Sequence, residues 1–129
     1  MTQEKIQFLV DTDILVDHLI NDDIKNTSHL EIAMTKGICF STVINASEIL
    51  FAASTENERA KIDDLLRSLK ILGLNSRYSL KISKFFNKVA STRDAIMCTV
   101  AEFNRLPILT LNVGRYKESG IKIISPLEL

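Results

Sequence analysis

Five short apolar runs alternate along this chain with stretches of helical period: Ile6-Gln7-Phe8-Leu9-Val10, Ile38-Cys39-Phe40-Ser41, Ile71-Leu72-Gly73-Leu74, Ile108-Leu109-Thr110 and Ile121-Lys122-Ile123-Ile124. Each reads as a buried strand. Strands separated by helices call for a parallel sheet covered on both faces, with right-handed crossovers. The expected fold is therefore a three-layer α/β/α sandwich around a mostly parallel, five-stranded sheet. At 129 residues, with no repeat or low-complexity tract, the chain is read as one domain spanning 1–129.

The intervening segments carry helix signals. Asp11 or Thr12 can cap a helix holding Ile14, Leu15, Leu19 and Ile20. Asn21-Asp22-Asp23 suggests a turn or fresh cap before a helix that reaches Lys36 and is broken by Gly37. Ser41 or Thr42 can cap a helix through Ile49 and Ala53, and another begins near Glu56. Segment 76–89 is helical in period, and Ser91 caps a helix running to Arg105.

Apolar residues make up 46% and charged residues 25%, the balance of an ordinary globular protein. No apolar stretch reaches the roughly 18 residues needed to cross a bilayer, and the first five residues do not open a secretory signal. A cytoplasmic protein with no membrane partner is expected. Cys39 and Cys98 are too few for a disulfide framework and read as buried free thiols, and His18 and His29 lack zinc-site spacing. The net charge of zero hides an asymmetry: residues 65–93 hold seven Lys or Arg and no acid. Such a local basic field attracts polyanions.

Ligands of parallel sheets bind beyond the carboxyl ends of the strands. Asp11 stands where the first strand finishes, and Asn112 just after the fourth. Glu48 and Asp94 lie on helices that follow other strands or crossovers. Asp11 can serve only as a helix cap, and Ser91-Thr92-Arg93-Asp94 resembles a capping box with Asp in the Glu position. Glu48 shares a helix face with Ile44 and Phe51, where a buried acid needs a partner. A salt bridge, solvent exposure or a bound cation would each satisfy it. Clustered carboxylates repel one another, and a divalent cation such as Mg²⁺, which takes oxygen ligands and retains several waters, removes that conflict.

At these residues the sequence resembles the PIN-domain ribonucleases, especially the VapC-like toxins. Phe8-Leu9-Val10-Asp11-Thr12-Asp13-Ile14-Leu15 is similar to the family's first motif. The segment from Phe40 to Leu50 resembles the second, with Glu48 as its acid, and Arg93-Asp94-Ala95-Ile96-Met97-Cys98 resembles the third. Leu109-Thr110-Leu111-Asn112 followed by Tyr116 resembles the closing segment, although Gly114-Arg115 stands where relatives carry a further acid. The resemblance implies a metal-dependent endoribonuclease that uses Mg²⁺ or Mn²⁺ and is blocked by a cognate antitoxin, with homodimers common. The missing acid implies a second metal held weakly or with substrate, and a weakly active or inactive member is compatible with it.

On this reading Asp11, Glu48 and Asp94 form the metal-binding core, and Asn112 is a weaker ligand or positions water. Asp13, Thr12 and Thr42 are auxiliary candidates, the two threonines first of all as helix caps. Arg77, Lys81, Lys84 and Lys88, spaced by four, three and four, are expected to line one helix face and carry the RNA path. The rival readings are a noncatalytic RNA-binding or protein-interaction domain of the same fold, and a small doubly wound signalling domain. The second requires a phosphoacceptor Asp and distant Lys, and gives Glu48 little use.

Overall fold

The structure is a computed structural model that describes residues 6–21 and 26–129. Five strands form one parallel sheet: β1 (Ile6–Val10), β2 (Gly37–Thr42), β3 (Lys70–Leu72), β4 (Ile108–Leu109) and β5 (Ile123–Ile124). Their order across the sheet is β3-β2-β1-β4-β5, so the first strand is central. Leu9 pairs with Phe40 on one side and Ile108 on the other. The expected sandwich is the observed one, with strands three, four and five shorter than the apolar runs suggested.

Alternation along β1 explains the two layers of core. Phe8 and Val10 point into one apolar cluster and Leu9 into the other. The first cluster is covered by α1 (Thr12–Ile20), α2 (His29–Lys36), α3 (Val43–Ala52) and α4 (Glu56–Arg67), which supply Ile14, Leu15, Leu30, Ala33, Ile49, Ile62 and Leu65. The second lies under α5 (Thr92–Asn104), with Met97, Val100, Tyr78, Phe85 and Tyr116 buried in it. Cys39 and Cys98 are buried free thiols, and burial pushes both up to about 11, where they stay protonated and inert.

One expectation is corrected. Segment 76–89 is not an α-helix but a pair of 3-10 turns, Ser76–Leu80 and Ile82–Phe85. Its amides bond three residues back, as in Lys81 to Tyr78 and Lys88 to Phe85. Tyr78 and Phe85 tie the turns to α5, where the Asn104 amide donates to the Tyr78 hydroxyl at 3.2 Å, while Phe86 is exposed. Anchoring by two aromatic residues outweighs the helical period. Arg77, Lys81, Lys84 and Lys88 are all exposed but no longer share an α-helical face. For Glu48 the structure selects among the alternatives left open. Helix α3 buries Asn45 and Ile49, so the face carrying Ile44, Glu48 and Phe51 looks outward, with Phe51 91% exposed. The expected turn at Asn21-Asp22-Asp23 lies mostly outside the described residues.

Candidate active site

Asp11 terminates β1, is fully buried, and begins α1 as its cap by accepting from the Thr12 amide at 2.8 Å. Capping uses one lone pair only. Its carboxylate also accepts from Nη2 of Arg93 and, at 2.7 Å, from the hydroxyl of Tyr116. Burial works against the charge on Asp11, but the bond and charge of Arg93, the Tyr116 hydroxyl and the Thr12 amide outweigh it. The carboxyl is held below its ordinary 3.8.

Arg93, in the first turn of α5, is the hub of the site. Its Nε donates to both oxygens of Glu48 at 3.2 Å, and Nη2 donates to Glu48 Oε1 at 2.9 Å and Thr12 Oγ1 at 3.0 Å. Nη1 donates to Asp94 Oδ1 at 3.2 Å and to the Tyr116 hydroxyl at 2.7 Å. The three acids singled out in the sequence therefore meet, and they meet on a guanidinium. Burial opposes its charge, yet the bonds to Asp11 and Glu48 prevail and raise its pKa further, so it stays protonated.

Supporting side chains fix this arrangement. Thr12 donates from Oγ1 to Glu48 at 2.6 Å, and Asn45 donates from Nδ2 to Thr12 Oγ1 at 2.9 Å and Asp11 at 3.4 Å. Asn45 is held in turn by Thr42, which caps α3 and donates to Asn45 Oδ1 at 2.7 Å. Thr42 thus acts through Asn45 and does not touch the acids. Ser91 caps α5 by accepting from the Asp94 amide at 3.1 Å, while the Asp94 carboxylate turns to Arg93. Arg115 stands at the margin, 3.9 Å from Asp11 and 4.0 Å from Asp94.

The remaining candidates lie at the edge. Asp13 accepts through Oδ2 from the Thr110 hydroxyl at 2.7 Å and the Leu111 amide at 3.1 Å, tying α1 to the chain leaving β4. Its Oδ1 is buried with no partner among the described residues, and burial first, then the charge of Asp11, raises its pKa. Asn112 begins the turn Val113–Tyr116 with its side chain exposed, and among the described residues that side chain makes no bond to the acids. Lys84 spends its charge on Glu102 at 2.6 Å, whereas Arg77, Lys81 and Lys88 have no ion pair among the described residues.

Sequence reasoning left three contributors without a role: Arg93, Asn45 and the Tyr116 hydroxyl. A signal for Arg93 did exist. A cation in the first turn of a helix opposes the helix dipole, so its presence there points to anions from elsewhere.

The donor set, carboxylate oxygens joined by the Thr12 hydroxyl, suits a hard divalent cation by its chemistry. The spacing suits the guanidinium. Among the described residues no three acidic, histidine or cysteine side chains stand as a group that could hold a metal ion.

The Tyr116 hydroxyl bridges Asp11 and Arg93 inside a fully buried ring site. Tyr116→Phe is expected to lower unfolding stability by about 1.5–3 kcal/mol, as for a lost hydrogen bond to a charged group. Urea denaturation at pH 7 checks this; an unchanged midpoint would mean that the bridge contributes nothing.

Comparison with known structures agrees with this architecture. A chain of DNA-bound VapBC from Salmonella typhimurium superposes with a TM-score of 0.79 at 16% identity, covering 94% of this chain and 98% of that one. A chain of VapBC2 from Rickettsia felis, bound to a promoter DNA fragment, gives 0.78 at 14%, covering 93% and 98%. A chain of VapBC-1 from nontypeable Haemophilus influenzae gives 0.77 at 15%, covering 95% and 99%. At such identities the likeness speaks for the fold. No curated protein matches the sequence significantly. The sequence profile of the PIN domain, however, matches residues 8–117, a span that includes Asp11, Glu48, Asp94 and Tyr116, and on that match this chain belongs to the PIN-domain family.

Proposed function

We propose that this protein is a metal-dependent endoribonuclease that hydrolyses RNA phosphodiester bonds and serves as the toxin of a toxin–antitoxin pair. The observation carrying the proposal is the convergence of Asp11, Glu48 and Asp94, from β1, α3 and α5, on a single cation. These three would hold Mg²⁺ or Mn²⁺. Such a metal, when bound, supplies a water of lowered pKa and offsets charge on the phosphodiester oxygens. Thr12 orients Glu48, and Asn45 orients Thr12 and Asp11. Asn112 is assigned to positioning water, on a loop that Asp13 anchors through Thr110 and Leu111.

An antitoxin partner is supported by the similar folds found in VapBC and FitAB structures. It is also supported by an apolar groove between α1, α3 and α4, lined by Val16, Leu19, Ile20, Ile49, Ala53 and Ile62. A homodimer is the proposed free form, on the family resemblance. Among the described residues no helix is long and apolar enough to cross a membrane.

The test is cleavage of single-stranded RNA with Mg²⁺ or Mn²⁺ against the same mixture with EDTA. Metal-dependent products are expected. Their absence across varied substrates, with RNA still bound, would favour the rival reading of a noncatalytic binding domain. One observation speaks for that rival: Arg93 already offsets part of the charge of the acids, and Arg115 stands at their margin.

Arg77, Lys81 and Lys88, with Lys84 beside them, are proposed as the RNA path because residues 65–93 carry no acid. Phosphate contacts of this kind set affinity and orientation rather than sequence choice. Replacing Lys81, Lys84 and Lys88 by Gln should weaken unrelated RNAs alike and flatten the dependence of log K on log salt by roughly 0.7 per lost contact. Lys84 should contribute least, since Glu102 competes for it. A salt titration in which neither affinity nor slope changes would remove this face from the RNA path.

A further inference from the structure

We infer that Arg93 and a divalent cation are alternative occupants of one carboxylate cluster, so that metal enters only when the Arg93 side chain leaves. The inference rests on the metal-dependent reading above. It starts from the position of one atom. Nη2 of Arg93 bonds at once to Asp11 Oδ1, Glu48 Oε1 and Thr12 Oγ1, while Nη1 reaches Asp94 Oδ1. A cation shared by the three acids must take oxygens that now face the guanidinium. Mg²⁺ binds oxygen at about 2.1 Å, well inside the hydrogen-bond spacing of this cluster. The acids must therefore close inward, and the space for that closure is filled. Two cations packed against each other would also repel strongly in so buried a place.

The arrangement gives Arg93 a reason to be present and a way to leave. Asp11 and Asp94 are buried, and three clustered carboxylates without a cation would repel one another and suffer desolvation. Arg93 eases that conflict with a permanent charge. It sits in the first turn of α5 with its side chain 20% exposed, so its long stem can rotate into solvent without unwinding the helix. Asp11, Thr12, Asn45 and Glu48 keep their mutual bonds when it does. Loading is then an exchange of one cation for another, governed by metal concentration.

The experiment is Mn²⁺ titration by calorimetry of the parent, Arg93→Gln and Arg93→Lys, with circular dichroism to confirm folding. Arg93→Gln should bind Mn²⁺ at least about tenfold more tightly than the parent, and Mn²⁺ should raise its Tm more. Arg93→Lys, which keeps a cation but loses the fork, should fall between them. A second measurement needs no variant: in the parent, the Arg93 Nε–H signal in ¹H–¹⁵N NMR should lose its protection from solvent exchange as Mg²⁺ is added. Equal Mn²⁺ affinity in all three proteins, or an Arg93 signal unchanged at metal saturation, would overturn the exchange while leaving metal binding intact. No Mn²⁺ binding by any folded variant would overturn both the exchange and the metal-dependent reading.

Discussion

Asp11→Asn is expected to abolish RNA cleavage and to lower unfolding stability by about 3 kcal/mol, the lower end of the cost of breaking a buried ion pair from one side. The lower end applies because Arg93 keeps Glu48 and Asp94 as partners. Asparagine keeps one oxygen: at the Oδ1 place it serves the Thr12 amide and Arg93 without the full negative charge, and at the Oδ2 place it serves Tyr116 and turns an amide donor toward Thr12 and Arg93. The pH dependence separates this from ordinary cavity damage. The Asp11 carboxyl is held below its ordinary 3.8, so its contribution is present above that value. It is lost as pH falls through the depressed value of the folded state. The gap between parent and variant should therefore be full at pH 7 and narrow below about 3.8. Denaturation midpoints from pH 7 downward measure it; a gap independent of pH would show that the charge of Asp11 is not what stabilises the fold.

Glu48→Gln should reduce cleavage to the level of a metal-free control while changing stability by less than about 1 kcal/mol. The side chain is 39% exposed, so its ion pair with Arg93 is screened by water. Neutralising one acid of a cluster would relieve repulsion if the acids faced one another. Here Glu48 faces a guanidinium, so the expected sign without metal is a small loss rather than a gain. The amide keeps an oxygen for Thr12 and Arg93, which preserves the geometry and isolates the charge. Turnover equal to the parent at saturating Mg²⁺ would take Glu48 out of the mechanism.

The five strands, the end of β1 at Asp11 and the caps of α3 and α5 were legible because each rests on a local pattern: an apolar run, a Thr or Ser before a helix, an acid in a first turn. Segment 76–89 was not. Its period is helical, but Tyr78 and Phe85 pack on α5, a contact invisible until α5 is in place. Which of the alternatives for Glu48 holds was not legible for a related reason, since α3 buries the polar Asn45 beside Ile49. Asn45 looks like half of a capping box, and it is one; its amide has a second task only because β1 ends beside it. Arg93 was counted among seven basic residues of a surface segment. Its role depends on three elements closing around it, which no residue spacing records.

The chain order of the site also bears on how the protein comes into being. Asp11 is made well before its partners, since its bond to Arg93 spans 82 positions and its bond to Tyr116 spans 105. Central β1 likewise waits for β4, at Ile108–Leu109, before its second edge is covered. A chain emerging from the ribosome folds from its N-terminal side at roughly 5–20 residues per second. The pocket around Asp11 is thus completed only once Tyr116 has emerged. During synthesis the nascent chain carries Asp11 and Glu48, with Thr12 and Asn45, before it carries the Arg93 and Tyr116 that complete the site.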